Sequence, residues 1–408
     1  MAVEAVLFDQ STLLSPKDHT VWPGVLEMLA DLKAMGLRWV ATSNEPSSTI
    51  GPRLQRAGLT PDALMTRSET GDRKPSPKFC NLAAQQLGLK NNQLVYVGDD
   101  DRNDAIAAIA ARVLYFNARW AHPAAPPYGF DLAAPASVPA FLRLFLRRQP
   151  RWHLQLDEKD GDGNPVSTKA LLSARREWNA EITNAIKGVL KRGGQNRIGP
   201  VRVDDLLLFH LLTTIYLGGL HEDVDWWTVY PSSTAGKVND ILVRFSDQYS
   251  KLFRDRFLPD LLVRHTNAET SHKVRAQGRD PGFINQANTL HLNPAHRGNI
   301  RKKHVLVLDD FTTDGYSLEA ARLLLLRGGA RAVTGIGIGA HYSSLKIQTP
   351  APGLMWDPWS ARQFDAKDFR SRRVDCQVDQ QALKDFESLI DEMRKWKSAP
   401  KGLTPPAP

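Results

Sequence analysis

The sequence predicts an α/β protein with two domains, each built on a parallel sheet covered by helices. Three observations lead to this prediction. Short apolar runs alternate with helical patterns in residues 1–120, and the alternation returns after residue 224. Several apolar runs end in acidic or hydroxyl side chains, and ligands bind at such strand ends in parallel sheets. A chain of 408 residues is also long enough for two or three separate cores.

In the first domain, apolar runs predict strands at 5–8, 39–41 and 94–97, and helical patterns predict helices at 25–35 and 105–111. The Pro- and Ala-rich stretch 121–139 predicts a linker, which a short helix at 140–148 follows. In the second domain we expect strands at 226–230, 258–264, 305–308 and 332–338, and helices at 237–253, 318–327 and 379–397.

The region between the two domains is less regular. We expect strands at 152–157 and 166–176, and helices at 173–190 and 204–217. The acidic turn at 160–164 superficially resembles a calcium loop, but it lacks the later glutamate, which favours a hairpin turn. The predicted boundaries are 1–122 for the first domain, 123–150 for the linker and short helix, 151–199 for a small α/β connecting region, 200–397 for the second domain and 398–408 for a disordered tail.

The composition, with 42% hydrophobic and 24% charged residues, is that of a soluble globular protein. The two cysteines, Cys80 and Cys376, are far apart, which favours a reducing, cytoplasmic compartment. The N-terminal segment has no basic leader and no apolar run is of membrane-spanning length, so we expect neither a secretory signal nor a membrane. The net charge of +9 suits an anionic small molecule. It also suits weak nucleic-acid attraction, but no nucleic-acid-binding signature accompanies it. The sequence is compatible with a homo-oligomer.

The segment HVLVLDDFTTDGYS at 304–317 contains the strongest motif. Its apolar run predicts a buried strand that delivers Asp309 and Asp310 to the carboxyl end of a sheet. Gly315 permits a tight loop, and the helix that follows offers backbone N–H groups to an anion. Two adjacent carboxylates would repel a phosphate unless they bind hydroxyls or a cation, and ribose with Mg²⁺ meets that need. The alternative is a solvated acidic turn before an ordinary helix.

This segment resembles the signature of type I phosphoribosyltransferases. The resemblance implies a Mg²⁺-dependent transfer of the phosphoribosyl group from phosphoribosyl diphosphate to a nucleobase-like acceptor, with Asp309 and Asp310 on the ribose hydroxyls. The residues that would bind the phosphate are Thr312, Thr313, Asp314, Gly315, Tyr316 and Ser317. Asp314 departs from the family, where a small neutral residue is usual, and its carboxylate either points away or weakens phosphate binding.

Two upstream segments extend the resemblance over about residues 200–345. The family has its diphosphate loop where this chain has 232–236, so Ser232, Ser233 and Thr234 are candidates for diphosphate binding. The alternative is a plain strand–helix turn. The family has a basic lid where this chain has Lys273 and Arg275, for which the alternative is a solvated loop. The layout is similar to that of ComF-type and stress-operon members.

Four pieces of the first domain occur in an order that suggests a second chemistry. A strand ends in Asp9, the segment VATSN contains Ser43, RKPSPKF contains Lys74, and YVGDDDRND contains Asp99 and Asp104. A carboxylate nucleophile approaches a charged phosphate only when cations lie nearby, and a lysine with a carboxylate-bound Mg²⁺ supplies them. Each piece alone is typical of a solvated turn, and the order makes the set specific.

These pieces resemble the haloacid dehalogenase superfamily of aspartate-based phosphotransferases. The resemblance implies a Rossmann-like domain with Asp9 as nucleophile, Lys74 and Ser43 on the phosphoryl group, and Asp9, Asp99 and Asp104 as Mg²⁺ ligands. The spacing leaves no room for a cap domain, so we expect an open site. Ser11 stands where most phosphatases of the superfamily have a general acid, and losing that acid costs about 10²–10⁴ in rate. A slow phosphatase, a phosphotransferase and binding without turnover stay open.

Together, the two resemblances predict two Rossmann-like parallel-sheet domains in one chain that acts on nucleotide-like metabolites. Similar fusions suggest a bacterial stress-response or defence pathway by analogy. One alternative is a non-catalytic sensor of phosphoribosyl diphosphate or nucleotides, or a regulatory scaffold. The others are a phosphatase that acts on a partner protein and a nucleic-acid-processing protein.

Overall fold

The computed structural model describes residues 2–122, 128–192, 196–269 and 282–395. The α/β prediction is confirmed, because the described residues form one six-stranded and one seven-stranded sheet, together with three two-stranded sheets. Within the described ranges, no helix combines the length and the apolar character that a membrane crossing requires.

The N-terminal sheet has six parallel strands in the order β3-β2-β1-β4-β5-β6. Its strands are β1 (Ala5–Asp9), β2 (Arg38–Ser43), β3 (Ala63–Thr66), β4 (Leu94–Gly98), β5 (Leu114–Ala118) and β6 (Phe130–Leu132). The α-helices of this region are α1 (Gln10–Leu13), α2 (Val25–Ala34), α3 (Ser47–Arg56), α4 (Arg67–Thr70), α5 (Lys78–Leu87), α6 (Ile106–Ala110) and α7 (Ser137–Phe141). Strand β1 lies between β2 and β4, so the carboxyl ends of these three strands meet at one edge.

Part of the stretch predicted as a linker belongs to this sheet. Strand β6 pairs with β5, and Phe130 and Phe141 are buried. The ring centroids of Phe116 and Phe141 lie 5.0 Å apart, an ordinary core contact between aromatic side chains. The Pro and Ala content suggested a linker, whereas the spaced phenylalanines were the signal that this segment packs into a core.

The C-terminal sheet has the order β12-β11-β15-β16-β8-β7-β19, and its first five strands are parallel. Its strands are β7 (Leu154–Lys159), β8 (Pro165–Ser173), β11 (Trp226–Val229), β12 (Arg256–Phe257), β15 (His304–Thr312), β16 (Ala332–Ala340) and β19 (Gln377–Val378). The two-stranded sheets pair β9 (Arg197–Ile198) with β10 (Val201–Arg202), β13 (Leu262–Arg264) with β14 (Leu290–Leu292), and β17 (Ser344–Pro350) with β18 (Phe369–Asp375). The α-helices are α8 (Ala180–Arg192), α9 (Val203–Leu217), α10 (Asp240–Phe253), α11 (Gly282–Ala287), α12 (Tyr316–Arg327) and α13 (Gln381–Lys395).

Three predicted elements of the C-terminal region differ from the structure. The single strand expected at 258–264 is wrong, since the chain leaves β12 before Pro259, which has no N–H for a ladder, and resumes as β13 in another sheet. The helix expected from residue 173 begins only at Ala180, because Ser173 still pairs in β8. Strand β15 continues to Thr312, so both acids of the 304–317 motif lie within the strand.

One hydrophobic core joins the two large sheets. Helix α9 is buried on nearly all sides, and the Phe209 ring lies 4.9 Å from Phe130 and 5.2 Å from Phe141. The Tyr216 hydroxyl donates to the Leu94 carbonyl oxygen at 2.6 Å, which ties α9 to the start of β4. Arg112 lies after α6, and its guanidinium is 3.2 Å from the carboxylate of Asp255 in the C-terminal region. The two described regions therefore pack as one body.

Candidate active site

The carboxyl ends of β1, β2 and β4 bring the predicted residues of the N-terminal site together. Lys74 Nζ contacts Asp9 Oδ1 and lies 2.6 Å from Asp104 Oδ1. The side chains of Lys74 and Asp104 are 4% and 2% exposed, so the ion pairs are largely shielded from water. One buried ammonium therefore bridges two carboxylates. Removing any one of the three groups would leave an uncompensated buried charge, which is strongly destabilising.

The electrostatics of this cluster favour a protonated lysine. Burial alone would lower the pKa of Lys74, but the charges of Asp104 and Asp9 outweigh it, and the pKa is raised. For Asp104, burial and then the charge of Asp9 raise the pKa, while Lys74 opposes the shift. These two shifts disagree about the ion pair, because a raised carboxyl pKa implies a weaker pair. The 2.6 Å contact with a charged lysine favours the ionised form of Asp104.

Three carboxylates at this edge can hold a metal ion. Oxygen atoms of Asp9, Asp99 and Asp104 all lie within 4.8 Å of one another. Mg²⁺ prefers oxygen ligands and small, charged sites, so the donor set fits this ion. The burial of Asp99, followed by the charge of Asp9, raises the pKa of Asp99, which is the repulsion that a divalent cation would relieve.

Ser11 links two of these carboxylates. Its hydroxyl is within hydrogen-bonding reach of Asp9 Oδ2 and Asp99 Oδ1. A hydroxyl carries one proton, so Ser11 donates to only one carboxylate at a time. The residue at the position of the usual general acid thus contacts the predicted nucleophile, but it contributes a hydroxyl in place of a titratable carboxyl.

Residues that were not predicted hold Lys74 and Asp104 in place. The Tyr96 hydroxyl is 3.1 Å from Asp104 Oδ1 and 2.6 Å from the Thr42 hydroxyl, and Asn44 Oδ1 accepts the backbone N–H of Lys74 at 2.7 Å. The sequence offered a signal, because polar side chains stood inside or directly after strands that are otherwise apolar. A Cβ at Gly98 would come within 2.6 Å of the Asp104 Cβ, so close approach requires glycine there.

The remaining predicted residue, Ser43, ends β2 and is 5% exposed. Its hydroxyl donates to Gln10 Oε1 at 3.3 Å and accepts the Glu45 N–H at 3.1 Å. Residues 10–37 between β1 and β2 contain α1, a Leu14–Val21 bridge and α2, which leaves the site without an inserted cap domain there.

The paired acids of the C-terminal sheet lie at the end of β15. Asp309 is 7% exposed and accepts the Asp310 N–H at 2.8 Å, while Asp310 contacts the Lys191 ammonium. Burial and then the charge of Asp310 raise the pKa of Asp309. Lys191 was not predicted, because α8 reaches the strand end only through the tertiary fold.

The loop between β15 and α12 offers unused hydrogen-bond donors. Within the described residues, the backbone N–H groups of Thr313, Gly315, Ser317 and Leu318 donate to no acceptor, and the buried Thr312 hydroxyl has no partner. Gly315 has a φ of +84°, which is a left-handed conformation that favours glycine, and it precedes the 12-residue helix α12. Such a group of amides at a helix start is suited to an anion.

Asp314 lies beside a cation that β18 supplies. Arg373 Nη2 is 4.0 Å from Asp314 Oδ1, and the Lys346 N–H donates to the Asp314 carbonyl oxygen at 2.9 Å. Arg373, on the β17–β18 hairpin, therefore offsets part of the negative charge of Asp314. Type I phosphoribosyltransferases usually have a small neutral residue at this position.

The loop 232–236, which the sequence predicted to bind diphosphate, has fewer unused amides than the loop 312–317. The N–H groups of Ser232, Ala235 and Gly236 already donate to Lys237, Asn267 and Arg264 respectively. Ser233 accepts the Ala268 N–H through its carbonyl oxygen. The amide of Ser232 closes a turn. The predicted roles of Ser232, Ser233 and Thr234 in diphosphate binding stay predictions. Lys273 and Arg275 lie outside the described residues.

Comparisons with known proteins agree on the N-terminal region. Residues 5–112 match the family model of haloacid dehalogenase-like hydrolases. The N-acetylmuramic acid 6-phosphate phosphatase of Pseudomonas aeruginosa is 31% identical over 84 residues, which cover 20% of this chain and 37% of that protein. The phosphoglycolate phosphatase of Xanthomonas campestris is 34% identical over 108 residues, which cover 25% of this chain and 47% of that protein.

Among solved structures, a HAD-superfamily hydrolase from Geobacter sulfurreducens is 18% identical and covers 34% of this chain and 98% of its own, with a TM-score of 0.28. The chain spans less than half the length of the two curated relatives named above. The family match, the order of the site residues and the parallel sheet all concern the same segment. Residues 5–112 of this chain therefore form a haloacid dehalogenase-like hydrolase domain.

Proposed function

We propose that the N-terminal domain cleaves small phosphomonoesters with Asp9 as the nucleophile. The observation that carries this proposal is the buried Lys74, which bridges Asp9 and Asp104 beside a third carboxylate. The two curated relatives named above are phosphatases of small phosphorylated compounds, which supports the same substrate class.

The side chains of the site have complementary roles in this proposal. The Asp9 carboxylate attacks phosphorus, and Lys74 with the Ser43 hydroxyl binds the phosphoryl oxygens as negative charge shifts onto the leaving group. Asp9, Asp99 and Asp104 would hold Mg²⁺, which would neutralise charge on the phosphate. Ser11 is a weak acid and a weak base, so both leaving-group protonation and attack of water on phospho-aspartate are slow. We therefore expect the phosphoenzyme to accumulate, and leaving groups that need no proton to react fastest.

Turnover of p-nitrophenyl phosphate with Mg²⁺ tests this proposal. The phenolate leaves without an acid, so wild type gives a burst of p-nitrophenol close to one per chain and then slow release of phosphate. Asp9→Asn removes the burst, while Asp18→Asn, a change of an exposed acid on the 14–21 hairpin, leaves it intact. Equal bursts from wild type and Asp9→Asn would contradict the proposal.

We infer further that the C-terminal sheet binds phosphoribosyl diphosphate with Mg²⁺ and transfers the phosphoribosyl group to a nucleobase-like acceptor. The supporting observation is the loop 312–317, whose unused donors lie next to Asp309 and Asp310 at the end of one strand. The stress-response or defence role rests on the resemblance alone.

A non-catalytic sensor is the second candidate, and the engaged amides of the 232–236 loop favour it, because fewer donors remain for a departing diphosphate. Calorimetric titration with phosphoribosyl diphosphate and Mg²⁺, paired with an assay of diphosphate release over a pool of bases, separates the two. Binding with release supports the transferase, and binding without release supports the sensor. The double variant Asp309→Asn/Asp310→Asn should abolish binding in either case, and unchanged binding would refute both.

A further inference from the structure

Two histidines lie side by side on the two-stranded sheet of β13 and β14. Val263 of β13 pairs with His291 of β14, and the N–H of His265 donates to the Thr289 carbonyl oxygen just beyond β13. Side chains two residues apart on a strand point to the same face of a sheet, so Val263, His265 and His291 share one face. The ring centroids of the two histidines are 5.6 Å apart, and the ring planes differ by 25°.

Each of the two rings donates one N–H to a backbone carbonyl. His291 Nδ1 is 2.8 Å from the Leu292 carbonyl oxygen, which can only accept, so Nε2 of the neutral ring keeps a lone pair. The His265 ring donates to the backbone carbonyl of Asn288. Its Nε2 is buried and has no partner among the described residues, so Nδ1 is the donor. Metal-binding histidines are usually held in this way, with one ring nitrogen on a carbonyl and the other free for the ion.

The surroundings of His265 favour its metal-binding form. Burial, followed by the charge of His291, lowers the pKa of His265, so its ring is uncharged near neutral pH. A histidine binds a metal ion only through such a neutral ring. Buried polar atoms normally have a partner, and Nε2 of His265 has none within the described ranges.

The spacing of the rings suits a transition-metal ion. Two imidazoles that bind one tetrahedral Zn²⁺ through nitrogens about 2.0–2.1 Å from it have ring centroids roughly 5 Å apart, close to the 5.6 Å observed. Imidazole suits Zn²⁺, Cu²⁺ and Ni²⁺, whereas Mg²⁺ prefers oxygen ligands. In the part of the chain that the structure describes, no close group of three metal-binding side chains includes these two histidines, so water would complete the coordination.

The two histidines lie next to the loop 232–236. The Arg264 carbonyl oxygen accepts the Gly236 N–H at 3.3 Å, and the Ser233 carbonyl oxygen accepts the Ala268 N–H at 2.9 Å. The chain is therefore bonded to this loop on both sides of His265. An ion shared by the two rings would join β13 to β14 at the point where both strands support the loop.

We propose that His265 and His291 form a two-histidine site for a divalent transition-metal ion, with Zn²⁺ as the probe. The ion holds β13 against β14 beside the loop 232–236, so its role is structural. The site differs from the acidic cluster of the N-terminal domain in its donor atoms, which are imidazole nitrogens and not carboxylate oxygens. The inference does not depend on either proposed activity.

Calorimetric titration of the full chain with Zn²⁺ tests the site. The acidic cluster can also take Zn²⁺, so the decisive quantity is the difference between wild type and variant. His265→Ala and His291→Ala should each weaken binding at one site at least about tenfold, since even lost outer partners of metal-binding histidines cost about 10–100-fold. Far-ultraviolet circular dichroism checks that both variants keep the fold.

His19→Asn is the matched control. It removes an exposed histidine from the 14–21 hairpin, and asparagine tolerates the positive φ of 59° at that position. The Zn²⁺ titration of this variant should match that of wild type. Binding that neither His265→Ala nor His291→Ala weakens, or that His19→Asn weakens equally, would overturn the proposal and leave both proposed activities standing.

Val263→His tests the shared face from the opposite direction. Val263 lies opposite His291 and is half-buried, so a histidine there adds a third imidazole to the same face. Zn²⁺ binding should become at least about tenfold tighter, because three protein ligands are usual where Zn²⁺ keeps one water. A folded Val263→His chain that binds Zn²⁺ no more tightly than wild type would contradict the proposed geometry.

Discussion

The two candidate sites place paired acids at the ends of parallel strands, but they balance the negative charge differently. In the N-terminal site, Lys74 is 4% exposed and bridges Asp9 and Asp104. In the C-terminal site, the ammonium that pairs with an acid is that of Lys191, which is 57% exposed and contacts Asp310. The first site therefore has its cation built into the core, whereas the second leaves Asp309 buried with a raised pKa.

Replacing each lysine tests this comparison and should give the largest effect. Lys74→Met leaves two shielded carboxylates without their partner, so we expect a loss of about 3–5 kcal/mol in the free energy of unfolding. The p-nitrophenol burst rate should fall about 10²–10³-fold, as for other lost electrostatic contacts to a reacting group. Urea unfolding and stopped-flow absorbance measure the two changes.

Lys191→Met is the matched variant. An exposed ion pair contributes about 0–1 kcal/mol, so the stability of this variant should stay within 1 kcal/mol of wild type. Equal losses of unfolding free energy in the two variants would contradict the comparison, because they would mean that the two lysines stabilise the acids of their sites equally.

The N-terminal site could be predicted further than the C-terminal one for a physical reason. Asp9, Ser43 and Asp99 lie at the ends of neighbouring strands or directly after them, so a local pattern predicts their meeting. Asp104 follows Asp99 by five residues, and Lys74 lies in the loop between α4 and α5. Lys191, in contrast, reaches Asp310 only because of where α8 packs. No local pattern contains that information.

The same reason explains the errors in the fold. The parallel sheet and strand β1 were predicted from alternating apolar runs. Strand β6 was missed because its three residues are recognisable as a strand only beside β5 and the phenylalanine core. Domain boundaries were drawn where composition changed, whereas α9 packs on the N-terminal sheet through Phe209 and Tyr216. The boundaries at 122, 150 and 199 stay predictions.

The shared core gives the next prediction. Phe209→Ala removes a ring that is 1% exposed and contacts Phe130, Phe141 and Phe145, so we expect a loss of about 3–5 kcal/mol. Because one core joins the two regions, near-ultraviolet circular dichroism and the p-nitrophenol burst should be lost together at one lower urea concentration. Two separate transitions would contradict a shared core. Met355→Ala, at an exposed site, should change stability by less than about 0.5 kcal/mol.

Asp255, which pairs with Arg112 across the two regions, should make the free energy of unfolding depend on pH. Burial raises the pKa of Asp255 to about 7, while the Trp227 N–H and Arg112 oppose the shift. An acid whose pKa is raised on folding binds its proton more tightly in the folded state, so stability falls as pH rises from about 4 to about 7. At about 1.4 kcal/mol for each pKa unit, the change is at most about 4 kcal/mol.

Asp255→Asn should remove this pH dependence, since an amide oxygen still accepts the Trp227 N–H, which lies 2.7 Å away in wild type. The difference in unfolding free energy between variant and wild type should be small at pH 4.5 and should favour the variant by a few kcal/mol at pH 8. Urea unfolding at both values measures it. If the difference in unfolding free energy between variant and wild type does not change with pH, the pKa of Asp255 is not raised by folding.

The smallest expected effect concerns Asp314, where the C-terminal site departs from the family. Asp314 belongs to the 312–317 loop, and Arg373 lies 4.0 Å from its carboxylate and offsets part of the charge. Asp314→Asn should therefore tighten the binding of phosphoribosyl diphosphate only about two- to fivefold, as a partly screened charge contributes less than about 1 kcal/mol. Arg373→Ala should weaken the binding of phosphoribosyl diphosphate by a similar factor.

If Arg373 acts by offsetting Asp314, adding Arg373→Ala to Asp314→Asn should have a smaller effect than Arg373→Ala alone. Fully additive changes in calorimetric Kd would instead mean that Arg373 contacts the ligand independently of Asp314.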